Sequence, residues 1–432
     1  MTQPPTVLRA DTEPGDSKDL ESEVRSYSRM WPAVFDRAAG DRLYSVDGQA
    51  YLDFFMGASA LNYGHNNPEL RGPLIEYLER GGVMHSLDMM TKARQTFLRA
   101  LGELVLTPRA LDYKVQFTGP TGANAVEAAL KIARRATGRR TVAAFSGAFH
   151  GMSLGALSVT TNHTARAASG VPLEHVLRLP FPGFGRHGIS GLDLLEGYVE
   201  QPGSGVEKPA AVIIETVQGE GGVNVADGAW LRRLSELCTR SGILLIVDDI
   251  QAGCGRTGRF FSFEDAGIVP DIVCLSKSLS GYGLPLSLTL FRRDLDIWRP
   301  GQHNGTFRGS NAAFITATAT LRTYWSDDRL SRSTQRKGAI VEAHLDELCR
   351  AYPSMGATHR GRGLMHGLHF PDPGVAQKVS RAAFDRGLLL ETAGPCDEVV
   401  KLLPSLLISE RDLNEGLHIL GDAITGAVAA PL

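Results

Sequence analysis

Short runs of unbroken apolar residues punctuate the middle of this chain: Ala210–Ile214 (AAVII), Ile243–Val247 (ILLIV) and Ile272–Leu275 (IVCL). Each run stops abruptly. The first ends at Glu215, the second at Asp248 and Asp249, the third at Ser276 and Lys277. Ile/Val/Leu runs without polar alternation, bounded by Gly and Pro, read as strands buried on both faces of a parallel sheet. The segment between the first two, DGAWLRRLSELCTRSG, carries apolar residues at helical spacing. Buried strands alternating with helices predict a doubly wound α/β domain. In such open sheets the ligand crevice lies outside the carboxyl ends of the strands. Asp248 and Lys277, each at such an end, are therefore candidates for facing one ligand.

The remaining pattern fills in around this centre. Residues 43–54 read as two short strands joined through Asp47-Gly48, a hairpin dipeptide. Asn66-Asn67-Pro68 predicts a turn and a helix start, with an amphipathic helix to about Glu79. A further helix is expected from about Met90, then a short strand, Lys114–Phe117, running into Thr118-Gly119-Pro120-Thr121-Gly122. The following ANAVEAALKIARRATG is helical in spacing, with Gly138 as its stop. Thr141–Phe145 is another strand, residues 160–209 read as loop-rich, and an Ala/Thr-rich helix spans roughly 311–325. The expected organisation is a disordered lead-in over 1–20 and an N-terminal segment, 21–79, packing with a small domain. A large domain over 80–325 and a C-terminal small α/β domain over 326–432 complete it.

Composition narrows the function classes. The 432 residues are 43% hydrophobic and 21% charged, with a net charge of −2 and no charge runs. That excludes a nucleic-acid surface or a polybasic membrane anchor as the organising theme. No apolar run approaches the about 18–20 residues of a transmembrane helix. The five cysteines, Cys238, Cys254, Cys274, Cys349 and Cys396, show no repeated spacing, which fits a reducing cytoplasm and gives no metal motif. A soluble cytoplasmic protein is the expectation.

Taken singly, Lys277, Asp248 and Asp249 are explained by strands meeting solvent, and His150, between Phe149 and Gly151, reads as a structural hydrogen-bonder. The turn at Thr121-Gly122-Ala123 lacks both the P-loop and the GxGxxG pattern, yet a strand, a Gly-rich turn and a helix amino terminus together make an anion-binding device. Three features coincide at strand ends of one sheet: a lysine able to act as a nucleophile if desolvated, a carboxylate, and an anion site. These are the three fixings of pyridoxal phosphate.

At this point the sequence resembles a known family. DDIQAGCGRTGRFFSFEDAGIVPDIVCLSKSLSGYGLP, with YGHNNP, TGANAVEAALKIAR, AFHG, ETVQGEGG and NGTFRG in order, resembles the class III pyridoxal-phosphate aminotransferases from about residue 21 to the carboxyl terminus. The resemblance implies a fold-type I transferase: a doubly wound, mostly parallel sheet in a large domain plus a smaller α/β domain. It also implies a homodimer, or a dimer of dimers, acting on amino acids and 2-oxo acids. Carried over by position, Lys277 corresponds to the Schiff-base lysine and Asp248 to the partner of the pyridinium nitrogen. Gln251 falls beside the phenolic oxygen, and Ile250 and Phe149 on the two faces of the ring, with His150 and Glu215 nearby. Thr121, Gly122 and Ala123 fall at the phosphate, and Thr306 at the threonine that reaches the neighbouring subunit's phosphate. Glu220 matches a glutamate that usually gates a substrate-binding arginine.

Several positions depart from the family pattern. Asn124 stands where many relatives carry Glu, and Met152 where ornithine and 4-aminobutyrate enzymes carry an arginine. Ala58 stands near a tyrosine position, and Lys401 replaces the usual second arginine, leaving it as the expected partner of Glu220. The spellings ESEVRSYSR, HSLDMMT and YKVQFTGPTGANAVEAALK are similar to those of one subgroup, the L-2,4-diaminobutyrate:2-oxoglutarate aminotransferases. This implies transfer of the amino group of glutamate to aspartate 4-semialdehyde. Another ω-amino-acid aminotransferase, or a glutamate-semialdehyde-type aminomutase, is the alternative. Arg25, Arg29 and Lys401 are the candidate cations for a substrate carboxylate, and Tyr27 a candidate lining residue.

Overall fold

The computed structural model describes residues 20–185 and 190–429; nearly all of the expected lead-in lies outside them. At the centre is a seven-stranded sheet in the order Tyr113–Phe117, Leu288–Arg292, Ile272–Leu275, Leu244–Asp248, Ala211–Ile214, Val142–Phe145, Val176–Leu179. Every strand is parallel except Leu288–Arg292, which runs antiparallel to both neighbours. The central strands are buried throughout, because helices cover both faces. Two of the seven were not legible as strands. Val176–Leu179 lies within the stretch expected to be loops, since its VLRL pattern is short and interrupted by an arginine. Leu288–Arg292 follows a glycine-rich stretch and owes its pairing to neighbours far away in the chain.

The helix Gly122–Thr137 begins directly after the Tyr113–Phe117 turn. Thr121 and Asn124 satisfy each other's end of the helix in a capping box, and Gly138 closes it in the left-handed conformation at φ 68°. The helix Gly228–Ser241, capped by the Asp227 side chain, feeds Leu244–Asp248. Asn67 caps Pro68–Glu79 by accepting from the Glu69 amide.

The N-terminal hairpin, Arg42–Ser45 with Ala50–Asp53, belongs to a four-stranded sheet whose last strand, Leu388–Leu389, comes from near the other end of the chain. A second four-stranded sheet is formed by Thr358–Arg362, Met365–His369, Val399–Leu402 and Glu391–Ala393. Among the described residues no helix is long and apolar enough to cross a membrane.

One side chain ties these layers together. Arg256, from the GRTG stretch, is fully buried. Its Nε donates to Ser59 Oγ at 2.8 Å and one terminal nitrogen to Asn62 Oδ1 at 2.5 Å. The other donates to the carbonyls of Leu364, at 2.9 Å, and Pro404. Burial pulls its pKa down to about 9, so the guanidinium remains charged at neutral pH although its acceptors are neutral. Replacing it with Met strands several buried acceptors at once. Arg256→Met is expected to cost about 3–5 kcal/mol, read as a lower midpoint in denaturant unfolding; a change within experimental error refutes the role given to this arginine.

Candidate active site

The carboxyl ends of the central strands converge on a cavity of about 170 Å³. It is lined by Gly122 and Ala123 from the helix start, Phe149, His150 and Gly151 from the loop after Val142–Phe145, and Glu215, Glu220, Asp248, Ile250, Gln251 and Lys277. A second cavity, of about 520 Å³, shares Phe149 and Glu220 with the first and extends past Gly147, Arg178 and Gly394.

Asp248 is the last residue of its strand and is 4% exposed. Its Oδ2 meets His150 Nδ1 at 2.7 Å, while Oδ1 accepts from the Ile250 amide at 3.2 Å. His150 Nε2 is buried and has no partner. A buried carboxylate backed by an imidazole is suited to holding a positively charged ring nitrogen. Glu215, one strand over, is also buried and accepts from the Phe149 amide at 2.9 Å. Burial pushes its pKa up to about 7, against the opposing pull of His150.

Lys277 opens a one-turn 3-10 helix after Ile272–Leu275 and holds φ at +49°, a left-handed conformation that is costly for a non-glycine residue. The turn is kept in place by Ser278, whose hydroxyl donates to the Ser59 carbonyl at 2.6 Å and accepts from the Asn62 amide at 3.0 Å. Burial lowers the lysine pKa, with Glu220 pulling the other way. Desolvation makes its amine more nucleophilic than a surface lysine.

Gly122 leaves a space that a side chain would fill: a Cβ there would stand 2.9 Å from Ile250 Cδ1. Gly151 allows its loop to lie against Ala123, where a Cβ would approach to 2.7 Å. The result is a slot between Phe149 and Ile250, with backbone N–H groups of a helix start at one end. An orphaned imidazole nitrogen, a buried carboxylate, a desolvated lysine and an anion cradle fit pyridoxal phosphate.

On the slot wall, Lys401 is wholly buried between two carboxylates, Glu220 Oε1 at 2.7 Å and Glu391 Oε1 at 2.9 Å. Gln251 Nε2 also donates to Glu220, at 3.1 Å, and to the Ala58 carbonyl, at 3.2 Å. Burial alone would raise the Glu220 pKa, but the charges of Lys401 and Lys277 hold it down at about 2. Burial also opposes the Lys401 charge, yet Glu220 and Glu391 keep its ammonium well above the usual lysine range. Tyr27 stands beside this cluster: burial, then Glu391 and Glu220, drive its hydroxyl far up. Ala58 sits in a run of left-handed residues, Met56, Ala58 and Ser59, with φ of 47°, 53° and 74°.

Other expected positions lie apart from the slot. Thr121 is spent on capping, and Met152 is 55% exposed. Thr306 is exposed, its carbonyl accepting from His85 Nε2 at 2.9 Å. Arg29 is at the surface with Glu23. Arg25 faces Glu21 and Glu23, at 3.9 and 3.5 Å, and has a buried Nε without a partner. Glu391 was missed by sequence reasoning. Nothing in LLLETAG marks it, and it becomes visible only through its register, directly opposite Lys401 on the neighbouring strand.

Comparison with known proteins agrees with this geometry. The model of the family "Aminotransferase class-III" matches residues 24–424. A diaminobutyrate–2-oxoglutarate transaminase from Nocardia farcinica is 56% identical over 97% of this chain and 95% of its own length. One from Streptomyces anulatus is 58% identical over 94% and 96%. Among solved structures, an ornithine aminotransferase from Toxoplasma gondii ME49 superposes with a TM-score of 0.83 at 26% identity, covering 95% of this chain and 94% of that one. Another structure of a Toxoplasma gondii ornithine aminotransferase, described as having partial occupancy of PLP at its active site, gives 0.79 at 27% identity, covering 92% and 90%. The chain belongs to the class III aminotransferases, fold-type I enzymes whose cofactor is pyridoxal phosphate.

Proposed function

We propose that this enzyme moves the amino group of L-glutamate to L-aspartate 4-semialdehyde, giving L-2,4-diaminobutyrate and 2-oxoglutarate, reversibly. The observation that carries the reading is identity above one half, over nearly the whole chain, to transaminases of that name. The lysine at position 401, where other substrate classes of the resembled family carry arginine, agrees with it.

In this reading Lys277 would hold pyridoxal phosphate covalently, Asp248 with His150 behind it would keep the ring nitrogen protonated, and the Gly122 and Ala123 amides would take the phosphate. Phe149 and Ile250 would cover the ring's two faces. The bound cofactor supplies an electron sink for the bond broken at the substrate carbon. Lys277 Nζ, desolvated by its surroundings, would be the base that takes the proton from that carbon. Glu215 orders the Phe149 backbone, and Gln251 holds the wall formed by Glu220.

We also infer that a second copy of this chain covers the apolar residues left exposed around Thr306. Val83, Met84, Leu87, Met89, Met90 and Phe307 are between 40% and 67% exposed and flank the Thr306 segment through the His85 contact. A monomer rarely leaves such a patch uncovered. Changing Met90 and Phe307 together to Glu is expected to halve the molar mass in light scattering and to abolish turnover. An unchanged mass removes this face from the assembly.

The chemistry is tested by an amino-donor panel. Diaminobutyrate is expected to outperform ornithine and 4-aminobutyrate at least tenfold in kcat/KM with 2-oxoglutarate. Preference for either of the others refutes the substrate, and turnover without any added acceptor points to a mutase. Lys277→Ala is expected to lose the violet absorbance of the lysine-bound cofactor and at least 10³-fold in kcat; retained turnover overturns the role of Lys277.

A further inference from the structure

The Glu220–Lys401–Glu391 cluster holds one more carboxylate than a simple ion pair needs. Glu391 and Lys401 are directly paired residues on adjacent antiparallel strands, so their contact is set by sheet register. Both are almost wholly buried, at 2% and 0% exposed. Glu220, in contrast, stands in the Gly219-Glu220-Gly221-Gly222 turn, and its side chain is 30% exposed where it lines both cavities. Lys401 is thus held from behind by a fixed carboxylate and in front by one that faces the ligand.

We propose that Glu391 is a positioning residue for substrate choice: it pins Lys401 from behind and gives the Glu220–Lys401–Glu391 cluster behind the cavity wall a net charge of −1, which favours the ammonium-bearing end of a diamino acid over a second carboxylate. The proposal rests on the diaminobutyrate reading. When the 4-amino group of that substrate points toward Lys277, its other end carries an ammonium beside its carboxylate. Glutamate offers only a carboxylate at the corresponding end.

The charge arithmetic follows from the three side chains. Lys401 contributes +1, and Glu220 and Glu391 contribute −1 each when ionised. With Glu391 neutral, the remaining pair cancels. One unit of charge buried behind a partly dehydrated cavity wall is worth about tenfold in the binding of a charged ligand. The groups facing Glu391 are Lys401, Glu220, Lys277 and Tyr27. Burial raises its pKa to about 7, against the pull of Lys401, which leaves the carboxylate ionised in an alkaline assay. Tyr27, from the N-terminal segment, is coupled to this carboxylate through a side-chain hydrogen bond.

The test compares holoenzymes of the wild type, Glu391→Gln, which removes the charge while keeping the shape, and Glu391→Asp, which keeps the charge. For each, KM and kcat are measured with diaminobutyrate and with glutamate at pH 8.5, along with the thermal midpoint. The dissociation constant of glutarate, a dicarboxylate without an amine, is measured by calorimetry. For Glu391→Gln the KM for diaminobutyrate is expected to rise about tenfold, while the KM for glutamate and the glutarate constant stay level or fall. The two kcat values are expected to change less than about threefold, and Glu391→Asp to return most of the diaminobutyrate affinity. Equal shifts for both substrates, or none, overturn the proposal. If Glu391→Gln fails to fold, Glu391→Asp carries the test, since equal loss toward both substrates then assigns Glu391 to structure alone. A wild type that does not turn over diaminobutyrate sinks the function, whereas the glutarate constants still report whether the Glu391 charge reaches the cavity.

Discussion

Everything around the site hangs on a buried guanidinium. Arg256 takes hydrogen-bond acceptors from the N-terminal segment, through Ser59 and Asn62, and from the C-terminal part, through Leu364 and Pro404. Arginine suits the task because its donors are fixed in a plane and its charge survives burial. Lysine has no such fork. By holding Ser59, Arg256 fixes the carbonyl that receives Ser278, and so the turn that presents Lys277. The strained backbone at Met56–Ser59 persists only because this network over-determines it.

The site itself is a distribution of buried charges, each with a reason to tolerate burial. Asp248 has His150 and a backbone amide, and Lys401 has two carboxylates. Glu215 and Lys277 are shifted toward neutrality instead. The contrast separates two kinds of group. Glu220 and Lys401, held in their charged forms, act as fixed electrodes, while burial pushes Glu215, Glu391 and Lys277 toward neutrality. Asp249, next to Asp248, belongs with the second set by pKa, raised by burial to about 7, but its oxygens accept from the Ser262 amide and it supports the loop.

Much of this was legible along the chain. The apolar runs ending at Glu215, Asp248 and Lys277 announced buried parallel strands because only a sheet covered on both faces uses such composition. Asn67-Pro68 announced a helix start through capping chemistry that needs no distant partner. Less local features were hidden. Val176–Leu179 carries too little periodicity, and the antiparallel Leu288–Arg292 depends on partners far from it in the chain. The residues about Thr306 and Met152 are exposed rather than lining the slot of a single chain, which motif order could not reveal.

By itself the sequence determined the family chemistry: the lysine, the aspartate and the phosphate turn lie at strand ends whose identity follows from local hydrophobicity, and motif order carries the resemblance. Only the tertiary structure decided how the charges pair. Glu391 meets Lys401 because two strands are in one particular register, and Glu220 meets the same lysine across 181 positions of chain. Such contacts are set by packing and burial, in which the energy of an ion depends on everything around it rather than on its neighbours in sequence.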